Sequence, residues 1–157
     1  MLHPRQSPTP ARFVFVEEGA QVLAYHALRA TPADTVALVE QPDATVSVRT
    51  AVRRLAEMGR SDARILEAFI VVASKDPSAA TRGARAEKRG LLARAVLAHM
   101  PAEPNACLTF VASEDSDQET RSELFGLAET LVAALGSEDV CVRVRFVGPA
   151  LGQAAAA

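Results

Sequence analysis

Short apolar runs and longer amphipathic stretches alternate along this chain. Residues 12–17 (RFVFVE) alternate and stop at Glu18-Gly19, which predicts a strand. Residues 21–29 (QVLAYHALR) read as a second strand returning in a hairpin, with a short helix as the alternative. A third strand spans residues 35–40 (TVALVE), between Asp34 and Pro42. From Thr45 the period changes, because Val48, Val52, Leu55 and Gly59 fall at helical spacing and Gly59 is placed to end that helix. Residues 68–74 (AFIVVAS) are nearly all apolar, as in a strand buried on both faces. A long helix over 79–100 follows, stopped by Pro101. Residues 106–113 (ACLTFVAS) repeat the buried-strand pattern. In 117–135, Leu124, Leu127, Ala128, Leu131 and Leu135 make one helical face closed by Gly136. The last run, residues 140–147 (VCVRVRFV), sets Arg143 and Arg145 opposite Val142, Val144 and Phe146, the pattern of an edge strand with one polar side.

The fold class that follows is α/β: a mostly parallel sheet with helices on both faces, joined by right-handed crossovers, plus an N-terminal antiparallel hairpin. The length suits one domain, expected over residues 12–147, between a Pro-rich tail at 1–11 and a second tail at 148–157. Three opening strands followed by alternating strand and helix make a plan that resembles ribonuclease H-like domains, an alternative strand order. That resemblance implies a carboxylate early in the first long helix, yet residues 46–55 contain none.

The chemistry-bearing residues narrow the function classes. Six Phe, one Tyr and no Trp leave few platforms for stacking bases, and the sequence pI of about 5.9 argues against nucleic acid as partner. No apolar run reaches the 18 or so residues that span a bilayer, and residues 1–10 lack the apolar core of a secretory signal, so the expected location is the cytoplasm. Cys107 and Cys141 each open a strand and read as small buried hydrophobes, reduced and slow to react; a disulfide between them requires those strands to be neighbours. No G-x-S-x-G, Walker A or G-x-G-x-x-G stretch is present, and His3, His26 and His99 mark no nucleophile.

One internal match stands out. Val72-Ala73-Ser74-Lys75-Asp76, then Thr81-Arg82, recurs without gaps as Val111-Ala112-Ser113-Glu114-Asp115, then Thr120-Arg121. Val39, Asp43 and Arg49 echo it faintly. Each copy falls where a strand turns into a helix, so Asp76 and Asp115 are expected to cap helices. The alternative is functional. Strand ends of a parallel sheet line one rim, where Asp43, Asp76 and Asp115 would offer hard oxygen ligands to Mg²⁺ for phosphoryl-transfer or nuclease chemistry.

Charge is unevenly distributed: residues 45–100 carry eleven basic and five acidic side chains, while residues 101–139 carry one basic and nine acidic. Arg82, Arg85 and Arg89 fall at i, i+3 and i+7, and Glu114, Asp117 and Glu119 lead the acidic segment. These six residues are expected to form two patches on different parts of the surface. The reading that results is a non-catalytic protein–protein interaction or regulatory module, self-associating or meeting a protein partner through opposite charges, with no cofactor.

Overall fold

A computed structural model describes residues 9–28, 34–74, 78–135 and 141–148. In chain order these form β1 (Thr9–Val16), α1 (Gln21–Ala27), β2 (Thr35–Val39), α2 (Val48–Arg60), β3 (Ala63–Val71), α3 (Ala79–Ala98), β4 (Cys107–Ser113), α4 (Gln118–Leu135) and β5 (Cys141–Val147). Of the tails expected at 1–11 and 148–157, residues 9–11 already belong to a strand and Gly148 is described; the rest lie outside the described residues.

All five strands are parallel and ordered β2-β1-β3-β4-β5. The sequence therefore gave the α/β class, but the N-terminal hairpin and the ribonuclease H-like order are corrected, because neither has room in an all-parallel sheet. Residues 21–27 are helix, not strand. The reason is topological: β1 and β2 pair in parallel, and parallel neighbours need a crossover, which a tight turn cannot make. Gly19, at φ 86°, turns the chain out of β1, and seven residues of helix carry it back. The other elements match their apolar periods closely; β1 starts three residues earlier, at Thr9, and β3 five earlier, at Ala63, because polar Arg64 and Glu67 interrupt its run.

Alternation divides the sheet into two faces. Phe13, Phe15, Ile70, Leu108 and Phe110 point to the side covered by α2, α3 and α4, whose Leu55, Leu92, Val96, Leu124 and Leu131 complete the main core. Val14, Val16, Val71 and Val111 point to the opposite side, where they meet Ala20 and the Leu23, Ala24 and Ala27 face of α1. Three helices thus cover one face, and seven residues of helix cover part of the other. No helix among the described residues is long and apolar enough to cross a membrane.

Candidate functional site: the carboxyl edge of the sheet

In an open parallel sheet the crevice outside the strand carboxyl ends, where the winding direction reverses, is the general place for ligands. Here the reversal lies between β1 and β3. The rim has two sides, which differ in chemistry.

On the three-helix side sits a buried charge cluster. β1 and β2 each end in Val-Glu, and their pairing (Val16 beside Val39) brings Glu17 and Glu40 to adjacent positions. Both carboxylates are buried, and both are met by consecutive residues of α3. Arg89 Nε donates to Glu17 Oε2 and Arg89 Nη2 to Glu17 Oε1, each at 2.7 Å, a bidentate pair. Its Nη1 reaches Glu123 Oε1 on α4 at 2.9 Å. Glu17 Oε1 also accepts the Ala73 N–H at 3.0 Å. Lys88 Nζ donates to Glu40 Oε2 at 2.8 Å, an oxygen that also accepts the Val46 N–H at 3.0 Å. Burial alone would push the Arg89 guanidinium down, but the hydrogen bonds and charges of Glu17, then of Glu123, outweigh it and hold its pKa above the ordinary value.

This arrangement corrects the expected surface patches. Arg89 is only 1% exposed, so it belongs to the interior. Arg82 forms ion pairs with Asp117 and Glu119 at the start of α4. α3 and α4 are neighbours on the same face, so the basic segment and the acidic one meet inside one molecule, not on separate surfaces. Arg85 is half-buried on α3, and Glu114 is exposed in the β4–α4 loop, whose backbone is held by Arg121 donating to the Glu114 carbonyl.

The repeated Thr-Arg also acquires a physical meaning. Asp76 lies outside the described residues, and Asp115 is no helix cap. The caps stand two positions later. Ser78 Oγ accepts the Thr81 N–H at 3.1 Å, and Asp117 Oδ1 accepts the Thr120 N–H at 2.8 Å. Ser47 does the same with Thr50 at the start of α2, at 3.1 Å. All three helices of the main core therefore begin S/D-x-x-T, with a threonine in the first turn whose amide the cap satisfies. The hydrogen bond from the Thr120 backbone, then that of its side chain, sets the Asp117 carboxyl below its usual range.

Asp43, the other residue expected on the rim, is exposed in the turn after β2. β2 and β4 have two strands between them, so the strands that lead to Asp43 and Asp115 run about 14 Å apart in the sheet. Among the described residues no group of three His, Cys, Asp or Glu side chains is placed to hold a metal ion.

On the α1 side the rim opens into a crevice of about 180 Å³. Its walls are Gly19, Ala20, Val22, Leu23 and His26 from the β1–α1 segment, facing Val72, Ser74, Ser113, Asp115 and Gly148 at the ends of the sheet strands. Both serines of the internal repeat thus line one cavity, Ser74 just past the end of β3 and Ser113 as the last residue of β4, an adjacency that their matching places in the repeat made readable. Ser113 Oγ accepts the Asp115 N–H at 3.1 Å, which turns that loop across the opening. His26 Nδ1 is buried with no hydrogen-bond partner. On α1, Val22 of the crevice wall is 62% exposed and Tyr25, three residues on, 74%. Sequence reading missed this site because it took residues 21–29 for a strand; helical spacing of Leu23, Ala24 and Ala27 was the available signal. Comparison with protein-family models, with curated proteins and with solved structures found no match to this chain.

Proposed function

We propose that this chain is a non-catalytic partner-binding module, and that it receives a side chain of a protein partner in the crevice beside α1. One observation carries this reading: α1 buries none of its own residues fully and leaves Val22, which lines the crevice, and Tyr25, the chain's sole tyrosine one turn further along the same helix, largely exposed. Exposed aromatic residues beside a pocket are the usual anchors of protein interfaces. At about 180 Å³ the cavity suits one side chain better than a drug-sized ligand, whose sites begin at about 300 Å³. Its polar wall (Ser74, Ser113, Asp115 and His26) suits a group that both donates and accepts hydrogen bonds. Arg82 and Arg89 of α3, by contrast, are engaged by Asp117, Glu119 and Glu123 at the start of α4, and Arg89 by Glu17 as well.

Photo-crosslinking tests this directly. A photoreactive phenylalanine analogue in place of Tyr25, in the native host, should yield a discrete protein adduct that Val22→Asp abolishes without lowering Tm. Adducts no different from those of the same analogue at exposed Glu129 on α4 would overturn the reading.

A further inference from the structure

We propose that Cys107 and Cys141 form a redox-active dithiol that exchanges with anionic low-molecular-weight disulfides, Cys141 as the attacking sulfur and Cys107 as the resolving one. The two cysteines are direct partners in the β4–β5 ladder. In a parallel pair their side chains stand on the same face, here the one that α1 covers in part. The contacts of α1 fall on Val16, Val71 and Val111, towards the carboxyl ends of the strands. Cys107 and Cys141 begin their strands, at the other end, and both are half-buried, free thiols. The sequence expectation of two buried cysteines is corrected to two half-buried ones: the strands are correctly placed, but among the described residues α1 alone covers the second face of the sheet, and only in part.

Distance permits closure. Paired strands put facing Cα atoms about 4.8 Å apart, within the roughly 4.4–6.8 Å that a disulfide spans. β5 is an edge strand with no neighbour among the described residues on its far side, so it can shift the few tenths of an ångström that bonding needs.

The environment separates the two sulfurs. Burial pushes the Cys141 thiol up, but the hydrogen bond from Cys107 and then the hydrogen bond and charge of Arg143 outweigh it and leave its pKa below the ordinary value. Burial, followed by the hydrogen bond with Cys141, pushes Cys107 up. The thiolate is the nucleophile, and Cys141 stands on the open edge strand with Arg143 two residues on along the same face, so its sulfur is the one placed to attack. Arg143 and Arg145 are exposed on the same face by strand alternation, and they favour a substrate bearing carboxylates.

The exchange balances. The Cys141 thiolate attacks one sulfur of R–S–S–R, forming the mixed disulfide and expelling RS⁻. Cys107 then loses its proton to water and attacks the Cys141 sulfur, expelling the second RS⁻. Two protein thiols are oxidised to one disulfide, and the small disulfide is reduced to two thiols.

The test treats the full chain with glutathione disulfide at neutral pH and maps the products by non-reducing mass spectrometry. The expected product is a monomer whose Cys107 and Cys141 peptides are cross-linked. Cys107→Ser should halt at a glutathione adduct on Cys141, and Cys141→Ser should react about tenfold more slowly than Cys107→Ser. Arg143→Glu with Arg145→Glu should slow the reaction with glutathione disulfide and speed that with the cationic disulfide cystamine. Wild-type protein that yields only disulfide-linked dimers, or only adducts on both cysteines without closure, overturns the proposal. Equal rates for the two serine variants would overturn the assigned order.

Discussion

Arg89 concentrates the energetics of the fold in one side chain. Its guanidinium is nearly inaccessible and is held by two carboxylates from two parts of the chain, so each of its three nitrogens has an acceptor. Removing one partner of such a buried pair leaves the other charge unpaired in a medium that solvates it poorly, at a cost of about 3–5 kcal/mol. Arg89→Met should therefore destabilise by that order in urea unfolding, as should Glu17→Leu. The double variant should recover much of the loss, since it leaves no orphan at that bond; losses that simply add would show that the pair is not coupled. Arg89→Lys should fall short as well, because an ammonium cannot reproduce the bidentate fork. In the sequence Arg89 is indistinguishable from its neighbours in the i, i+3, i+7 series. Its burial depends on Glu17, which lies 72 positions earlier, and no local pattern encodes that distance.

The elements themselves were far more readable than the contacts between them. α2, α3, α4, β4 and β5 follow from apolar period because each is long enough for its period to repeat. α1 is not: over seven residues, Val22-Leu23-Ala24-Tyr25 satisfies two periods about equally. Helix starts were half-legible, since the repeat marked their position while the Asp in it diverted attention from the true caps. The cap assignment has consequences. Ser47→Ala and Ser78→Ala should each cost about 1 kcal/mol, and Asn or Asp at either place should restore most of it. Asp117 adds a pH dependence. Its folded pKa lies below its unfolded one, so its contribution is complete above the ordinary carboxylate value of 3.8 and is lost as pH falls through the depressed value. Asp117→Asn should flatten the acid limb of the stability curve and leave neutral stability nearly unchanged, measurable by thermal denaturation across pH 2–6. An unchanged acid limb would exclude Asp117 as a source of that slope.

For the molecule as a whole, the segregation of charge along the chain acts as internal glue between successive helices. Light scattering at about 0.05 M and about 1 M salt should give the same mass, although the Debye length shrinks from above 10 Å to about 3 Å over that range. Arg82→Glu should cost no more than about 1 kcal/mol, because its acidic partners are solvent-exposed, and it should leave the mass unchanged. A mass that falls with salt would show that the same charges also bridge copies. The strand order has a temporal side too. β1 leaves the ribosome first, yet one of its sheet neighbours, β3, follows only after β2 and α2, and the cation for Glu17 arrives later still. Until α3 has been synthesised, the growing chain carries the apolar Phe13-Val14-Phe15-Val16 stretch and an uncompensated carboxylate at its end. Contacts so distant in sequence close slowly. The nascent protein thus passes through a stage open to chaperone capture, and fragments ending before Arg89 should stay unfolded and prone to aggregate.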